Sequence, residues 1–149
     1  MILQQDLPLR FDHVGIVVPS LAAGREHLTH LFSIRHWTVE FDDPGIGVRV
    51  QFGRDESGVC YETIAPLGNA SPIAQALRSG QRILNHVAYL TPDIAAAAAF
   101  YREQGCAVVG DAVAAVAYQG RKVQFFISPL RFMFELIEAR DHSHDFHGE

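Results

Sequence analysis

A chain of 149 residues with a formal charge of −5, 48% hydrophobic and 19% charged, has the make-up of one ordinary globular domain. The acidic balance excludes a basic nucleic-acid-binding face, and no apolar run approaches the roughly 20 residues that span a bilayer. No basic stretch followed by an apolar one opens the chain, so no signal peptide is expected and a cytoplasmic location is the default. Cys60 and Cys106 have no related spacing and read as two buried thiols in a reducing compartment.

In chain order, residues 11–18 are apolar on both faces and stop at Pro19, the pattern of a buried strand. Ser20 is placed to cap a helix carrying Leu21, Leu28 and Leu31 along one stripe. Residues 35–41 form a weak strand, and Asp42-Asp43-Pro44-Gly45 a turn. Strands follow over 47–53 and 58–65, joined by the polar turn Asp55-Glu56-Ser57-Gly58. Residues 66–82 form a linker with a pair of helical turns after Pro72. The series then restarts. A strand covers 83–90, and a helix capped by Asp93 runs through Phe100-Tyr101 to stop near Gly105. A weak strand covers 106–110, with further strands over 121–127 and 131–138. From Arg140 the chain is polar and expected to fray. The fold class is α+β: two tandem βαβββ modules forming a curved mixed sheet around a central metal cavity. Residues 1–149 make one domain, with module one at about 11–65, a linker at 66–82, module two at about 83–138 and a tail at 139–149.

The restart is also literal. His13 and His86 are 73 positions apart, and so are Glu62 and Glu135. Phe11-Asp12-His13-Val14-Gly15 returns as Leu84-Asn85-His86-Val87-Ala88, and Val50-Gln51-Phe52 as Val123-Gln124-Phe125. Two copies of one module tend to pack about a pseudo-twofold axis, which predicts two His and two Glu at one point. Residues i and i+2 of a strand share a face, so His13 lies beside Gly15 and His86 beside Ala88. Both neighbours are small enough to leave room at the imidazole. Two buried carboxylates near each other are costly without compensation. A divalent cation removes that cost, since two neutral imidazoles and two carboxylates balance a +2 ion. His13, Glu62, His86 and Glu135 are therefore expected to hold one metal ion; nitrogen and oxygen donors suit Co, Ni, Mn, Fe or Zn alike. The alternative is a duplicated module repeating structural residues. Gln51 and Gln124 either line the cavity or mark a solvated face. The tail histidines His142, His144 and His147 are expected to be mobile and solvated.

At these residues the chain resembles the vicinal oxygen chelate superfamily, which includes glyoxalase I, extradiol dioxygenases and the fosfomycin- and bleomycin-resistance proteins. Within it, the chain is most similar to the methylmalonyl-CoA epimerases. The similarity is carried by Asp12-His13-Val14-Gly15, by Asn85-His86-Val87-Ala88, and by Phe134-Glu135-Leu136. Its most specific part is Ala65-Pro66-Leu67-Gly68 followed by Ser71-Pro72-Ile73-Ala74. The resemblance implies metal ligation by His13, Glu62, His86 and Glu135, with Glu135 also the catalytic base. It implies an isomerase or epimerase that abstracts an α-proton from an acyl-CoA through a metal-stabilised enediolate, in a homodimer. Asn85 stands where that family has the first His of a pair, and Ser128-Pro129 where it has His-Pro. Strand 47–53 offers Arg49 and Gln51 where some epimerases carry a catalytic carboxylate. The second proton-transfer group then falls to water or to Glu40, Asp42 or Asp43. Arg49, Arg54, Arg78 and Lys122 are either contacts for CoA phosphates or solvated surface charge. The alternatives on the same fold are a glyoxalase-I-like lactoylglutathione lyase and a non-catalytic, drug-resistance-type binding protein. An Fe(II) oxygenase is disfavoured by the fourth ligand.

Overall fold

A computed structural model of the chain describes residues 8–79 and 86–146. The expected start of module two at 83–85, with Asn85, and His147 of the tail lie outside the described residues. The chain forms two compact units: residues 13–85 with 143–149, and residues 1–12 with 86–142. Each unit holds one of the repeated modules, and each takes a chain terminus from beyond its own module.

β1 (Arg10–Val17), which enters the first unit at His13, leads through Pro19 into α1 (Leu21–Phe32), where the Ser20 hydroxyl accepts the Ala23 N–H at 3.1 Å. The helix ends at Ser33 in the left-handed region (φ 55°). Its buried residues are Leu21, Gly24 and Leu28, whereas Leu31 is 58% exposed. At about 100° per residue Leu31 lies about 60° from Leu28 and about 20° from Gly24, at the edge of the buried stripe in the last turn of the helix. The weak strand expected over 35–41 is two short pieces, β2 (His36–Trp37) and β3 (Phe41–Asp43), both antiparallel to β4 (Val48–Arg54). β4 pairs antiparallel with β5 (Cys60–Pro66), and β5 pairs parallel with β1. The pair of helical turns expected in the linker after Pro72 is helix α2 (Pro72–Ser79).

Register assigns the faces. Gly15 lies across from Glu62, and Glu62 across from Phe52. Directly opposed residues share a face, so His13, Gly15, Glu62 and Phe52 look one way. The alternate residues Ile16, Tyr61 and Ala65 look the other way, where Leu21, Leu28, Ile34 and Trp37 pack on them.

The second unit repeats this plan. β6 (His86–Thr91) pairs parallel with β9 (Met133–Glu138), β9 antiparallel with β8 (Lys122–Ile127), and β8 antiparallel with β7 (Ala107–Ala114). The helix α3 (Ile94–Glu103) is capped as expected, with the Asp93 carboxylate accepting the Ala96 N–H at 3.0 Å. Gly105 (φ +84°) follows it. β7 is longer than its sequence suggested because it runs on through a register shift between Val109 and Val113, where Gly110 has φ +69°. One face packs Val87, Tyr89, Phe126, Phe134 and Leu136 against α3. The other carries His86, Ala88, Glu135 and Phe125 by the same register as in module one. The α+β class and the two βαβββ modules are thus as the sequence predicted, with the middle strand of the first module divided.

The tail departs from expectation. Residues 141–146 alternate exposed and half-buried, and His144 and Phe146 lie on the first unit. It is docked rather than frayed because every second side chain finds a ring or a cation to cover.

Candidate metal centre

Each module places a histidine and a glutamate side by side. His13 Nε2 is 3.3 Å from Glu62 Oε1, and His86 Nε2 is 3.5 Å from Glu135 Oε1. All four residues are buried. The cause is local and identical. The histidine sits two residues before the small residue that opposes the glutamate on the parallel neighbour strand, Gly15 in one case and Ala88 in the other. A larger side chain there would fill the space between the pair.

These separations are chemically informative. A direct N–H···O hydrogen bond usually spans about 2.7–3.2 Å. Two donors bound to one ion at about 2.0–2.2 Å, roughly 90–110° apart, are about 2.8–3.6 Å from each other. Both pairs fall in the second range. An imidazole and a carboxylate, buried and at that spacing, are a donor set that fits a divalent cation.

Two phenylalanines belong to the arrangement and were not singled out in the sequence. Phe52 meets His13 edge-on (5.5 Å between ring centroids, 75°), and Phe125 meets His86 edge-on (5.2 Å, 84°). They lie directly across from Glu62 and Glu135. The ring edges wall each imidazole and keep it in one orientation. The signal was present: both phenylalanines close the repeated Val-Gln-Phe, next to the glutamines that drew attention. Those glutamines face the other way. The Gln51 amide donates to the Thr38 carbonyl at 2.8 Å, and the Gln124 amide to the Gly110 carbonyl at 3.1 Å. Both are buried ties to a backbone carbonyl, of the residue after β2 in one case and of β7 in the other, neither cavity lining nor solvated surface.

Asp12 and Tyr118 were also missed as a pair. The Tyr118 hydroxyl donates to the Asp12 carboxylate at 2.6 Å, with both residues buried, next in sequence to His13. Nothing in the spacing of 12 and 118 announces it, since a 3₁₀ turn at Val116–Tyr118 makes the contact.

The other named residues sort plainly. Asp42 is bound by Arg49 through two hydrogen bonds at the surface, and this guanidinium holds the Asp42 carboxyl below the usual carboxylate range. The two oppose each other in the ladder, on the face turned from Glu62. Asp43 is buried and accepts the Ile46 N–H within its own turn at 3.2 Å, while Glu40 is exposed. Arg54 lies over the Phe146 ring at 4.7 Å, Arg78 reaches the Asn69 carbonyl at 3.4 Å, and Lys122 is exposed. Cys60 is buried and Cys106 half-buried, and burial pushes the Cys106 thiol up. Among the described residues, no helix is long and apolar enough to cross a membrane.

Residues 12–125 match the Glyoxalase/Bleomycin resistance protein/Dioxygenase superfamily. The chain belongs to this superfamily. A curated relative, the ethylmalonyl-CoA/methylmalonyl-CoA epimerase of Cereibacter sphaeroides, is 31% identical over 130 residues, covering 87% of this chain and 95% of the relative. Two solved structures share the glyoxalase-like fold. A hypothetical protein from Bacillus halodurans C-125 aligns with a TM-score of 0.73 at 23% identity, over 92% of this chain and 99% of that one. Methylmalonyl-CoA epimerase from Mycobacterium tuberculosis aligns with a TM-score of 0.69 at 24% identity, over 89% of each chain.

Proposed function

We propose that this superfamily member is a divalent-metal-dependent epimerase acting on a small acyl-CoA with an acidic α-carbon, of the methylmalonyl-CoA or ethylmalonyl-CoA type. One observation carries the reading: two buried His–Glu pairs, built by the same register in both modules, at the spacing of donors on one ion. The activity of the 31% identical relative supports it. In this proposal His13, Glu62, His86 and Glu135 hold a single ion, whose chemical contribution is to stabilise negative charge on substrate oxygens.

The chain's own residues do the remainder. Phe52 and Phe125 hold the imidazoles and exclude water beside them. Glu135 takes the α-proton, leaving an enediolate; return of a proton to the opposite face inverts the centre. Gln51 cannot return it, being an amide tied to Thr38. Asp42 is committed to Arg49 and Asp43 to its turn. Solvent water is the donor we assign to that face. The active species is taken to be a homodimer, which light scattering at micromolar concentration tests.

The deciding experiment incubates the protein with methylmalonyl-CoA and ethylmalonyl-CoA in heavy water, with and without added cobalt(II). Metal-dependent deuterium incorporation at the α-carbon is expected. Turnover of methylglyoxal with glutathione in its place would make the chain a glyoxalase-I-like lyase. Less than about 0.2 equivalents of metal after reconstitution would make it a binding protein.

A further inference from the structure

The C-terminal segment lies along the ligand-bearing face of the first module. Phe52 and Arg54 are two residues apart on β4 and share the face of Glu62. His144 and Phe146 are likewise two apart. His144 stacks on Phe52 (4.1 Å, 27°), and Phe146 lies under the Arg54 guanidinium at 4.7 Å. Ser143, before them, and Asp145, between them, are exposed. An extended segment therefore tracks β4 residue for residue, with alternate side chains turned down onto it. A ring nitrogen of His144 comes within 4.8 Å of one of His13.

The covering has a measurable consequence. Phe52 and His13 are both 0% exposed. Their counterparts are less enclosed: Phe125 is half-buried and His86 is 5% exposed. Among the described residues no second ring lies against Phe125. The segment forms no strand. Its hold on this face is through side chains that can let go without breaking a ladder, which is the character of a locally opening element.

We infer that Ser143–Phe146 is a strap that closes the first module's ligand face and swings away to admit an ion or small molecule to His13. The inference rests on this packing and not on the identity of the ligand.

The test uses the full chain, free of metal, and the rate at which diethyl pyrocarbonate modifies His13 and His86, read by peptide mass spectrometry. The double variant H144A/F146A is expected to raise the His13 rate at least about tenfold, with His86 unchanged. H144F keeps a ring on Phe52 and is expected to stay within about twofold of the unaltered chain. An unchanged His13 rate in the double variant overturns the strap. So does an equal rise at His13 and His86, which would report general loosening, and so does H144F behaving like the double variant. Cobalt(II) uptake by the same proteins separates this from the metal proposal: a chain whose His13 shows the expected pattern but which takes up no cobalt keeps the strap and loses the metal centre.

Discussion

The two modules agree where backbone register decides and diverge where side-chain volume decides. Both set a histidine two residues before the small residue that faces a glutamate, and both set a phenylalanine across from that glutamate. The reverse faces are filled differently. The first module buries Leu28, Ile34 and Trp37 with a glycine, Gly24, in its helix. The second buries an aromatic group in which Phe126 stacks on Phe134 at 5.1 Å and Tyr101 leans on both. At the position equivalent to Gly24 it has Ala97. Duplicated modules can repack a core by exchanging volumes, but a one-residue slip in a strand would turn its histidine or glutamate to the wrong face.

The comparison is broken most directly at the glutamates. On the proposed mechanism E135Q removes the base and lowers the α-deuteration rate about a thousandfold, within the range of general-base effects. E62Q removes only a ligand charge and is expected to lower it about tenfold. Equal losses would make the modules chemically equivalent.

The cores come next. F126A, at a fully buried site in the aromatic group, is expected to cost about 3–5 kcal/mol in urea unfolding. L28A, on the buried side of α1 in module one, is expected to cost about 2–4 kcal/mol. A reversal of that order would mean the first module carries more of the chain's stability.

Metal removal sharpens the comparison of the two pairs. Chelation from a solution held at 100-fold the dissociation constant is expected to lower stability by about 2.7 kcal/mol, read by calorimetry. H13A and H86A should each abolish most of that difference if one ion joins the pairs. Loss of half in each would point to two independent sites.

The smallest effects test the exchange of Gly24 and Ala97. A Cβ at Gly24 would sit 2.8 Å from the Val18 side chain, so G24A is expected to destabilise by about 1–3 kcal/mol. A97G removes a buried methyl and adds backbone freedom, for about 1 kcal/mol. Thermal melts of the two variants check both signs; a stabilised G24A would show that the helix can shift outward.

Much of this was legible before any coordinates. The caps at Ser20 and Asp93 follow from local chemistry, and the matching His13–Glu62 and His86–Glu135 pairs from a fixed offset. The ends of the reading are instructive. Gln51 and Gln124 repeat and read as either cavity lining or solvated face, yet they repeat as buried ties to a backbone carbonyl. Phe52 and Phe125 repeat in the same tripeptide and are the ones beside the imidazoles. A period-two pattern says that neighbours in a strand face opposite ways but not which of them faces the site; only the pairing of Phe52 with Glu62 says that.

By itself, then, the sequence determined the duplicated α+β architecture and the repeated positions of His13, Glu62, His86 and Glu135, because strand period, helix caps and repeat distance are properties of the chain alone. Tertiary structure decided the rest: which face each glutamine and phenylalanine takes, the union of Asp12 with Tyr118, and the docking of His144 and Phe146 on β4. Those contacts join residues far apart in the chain with no shared period, so their only record is the packed molecule.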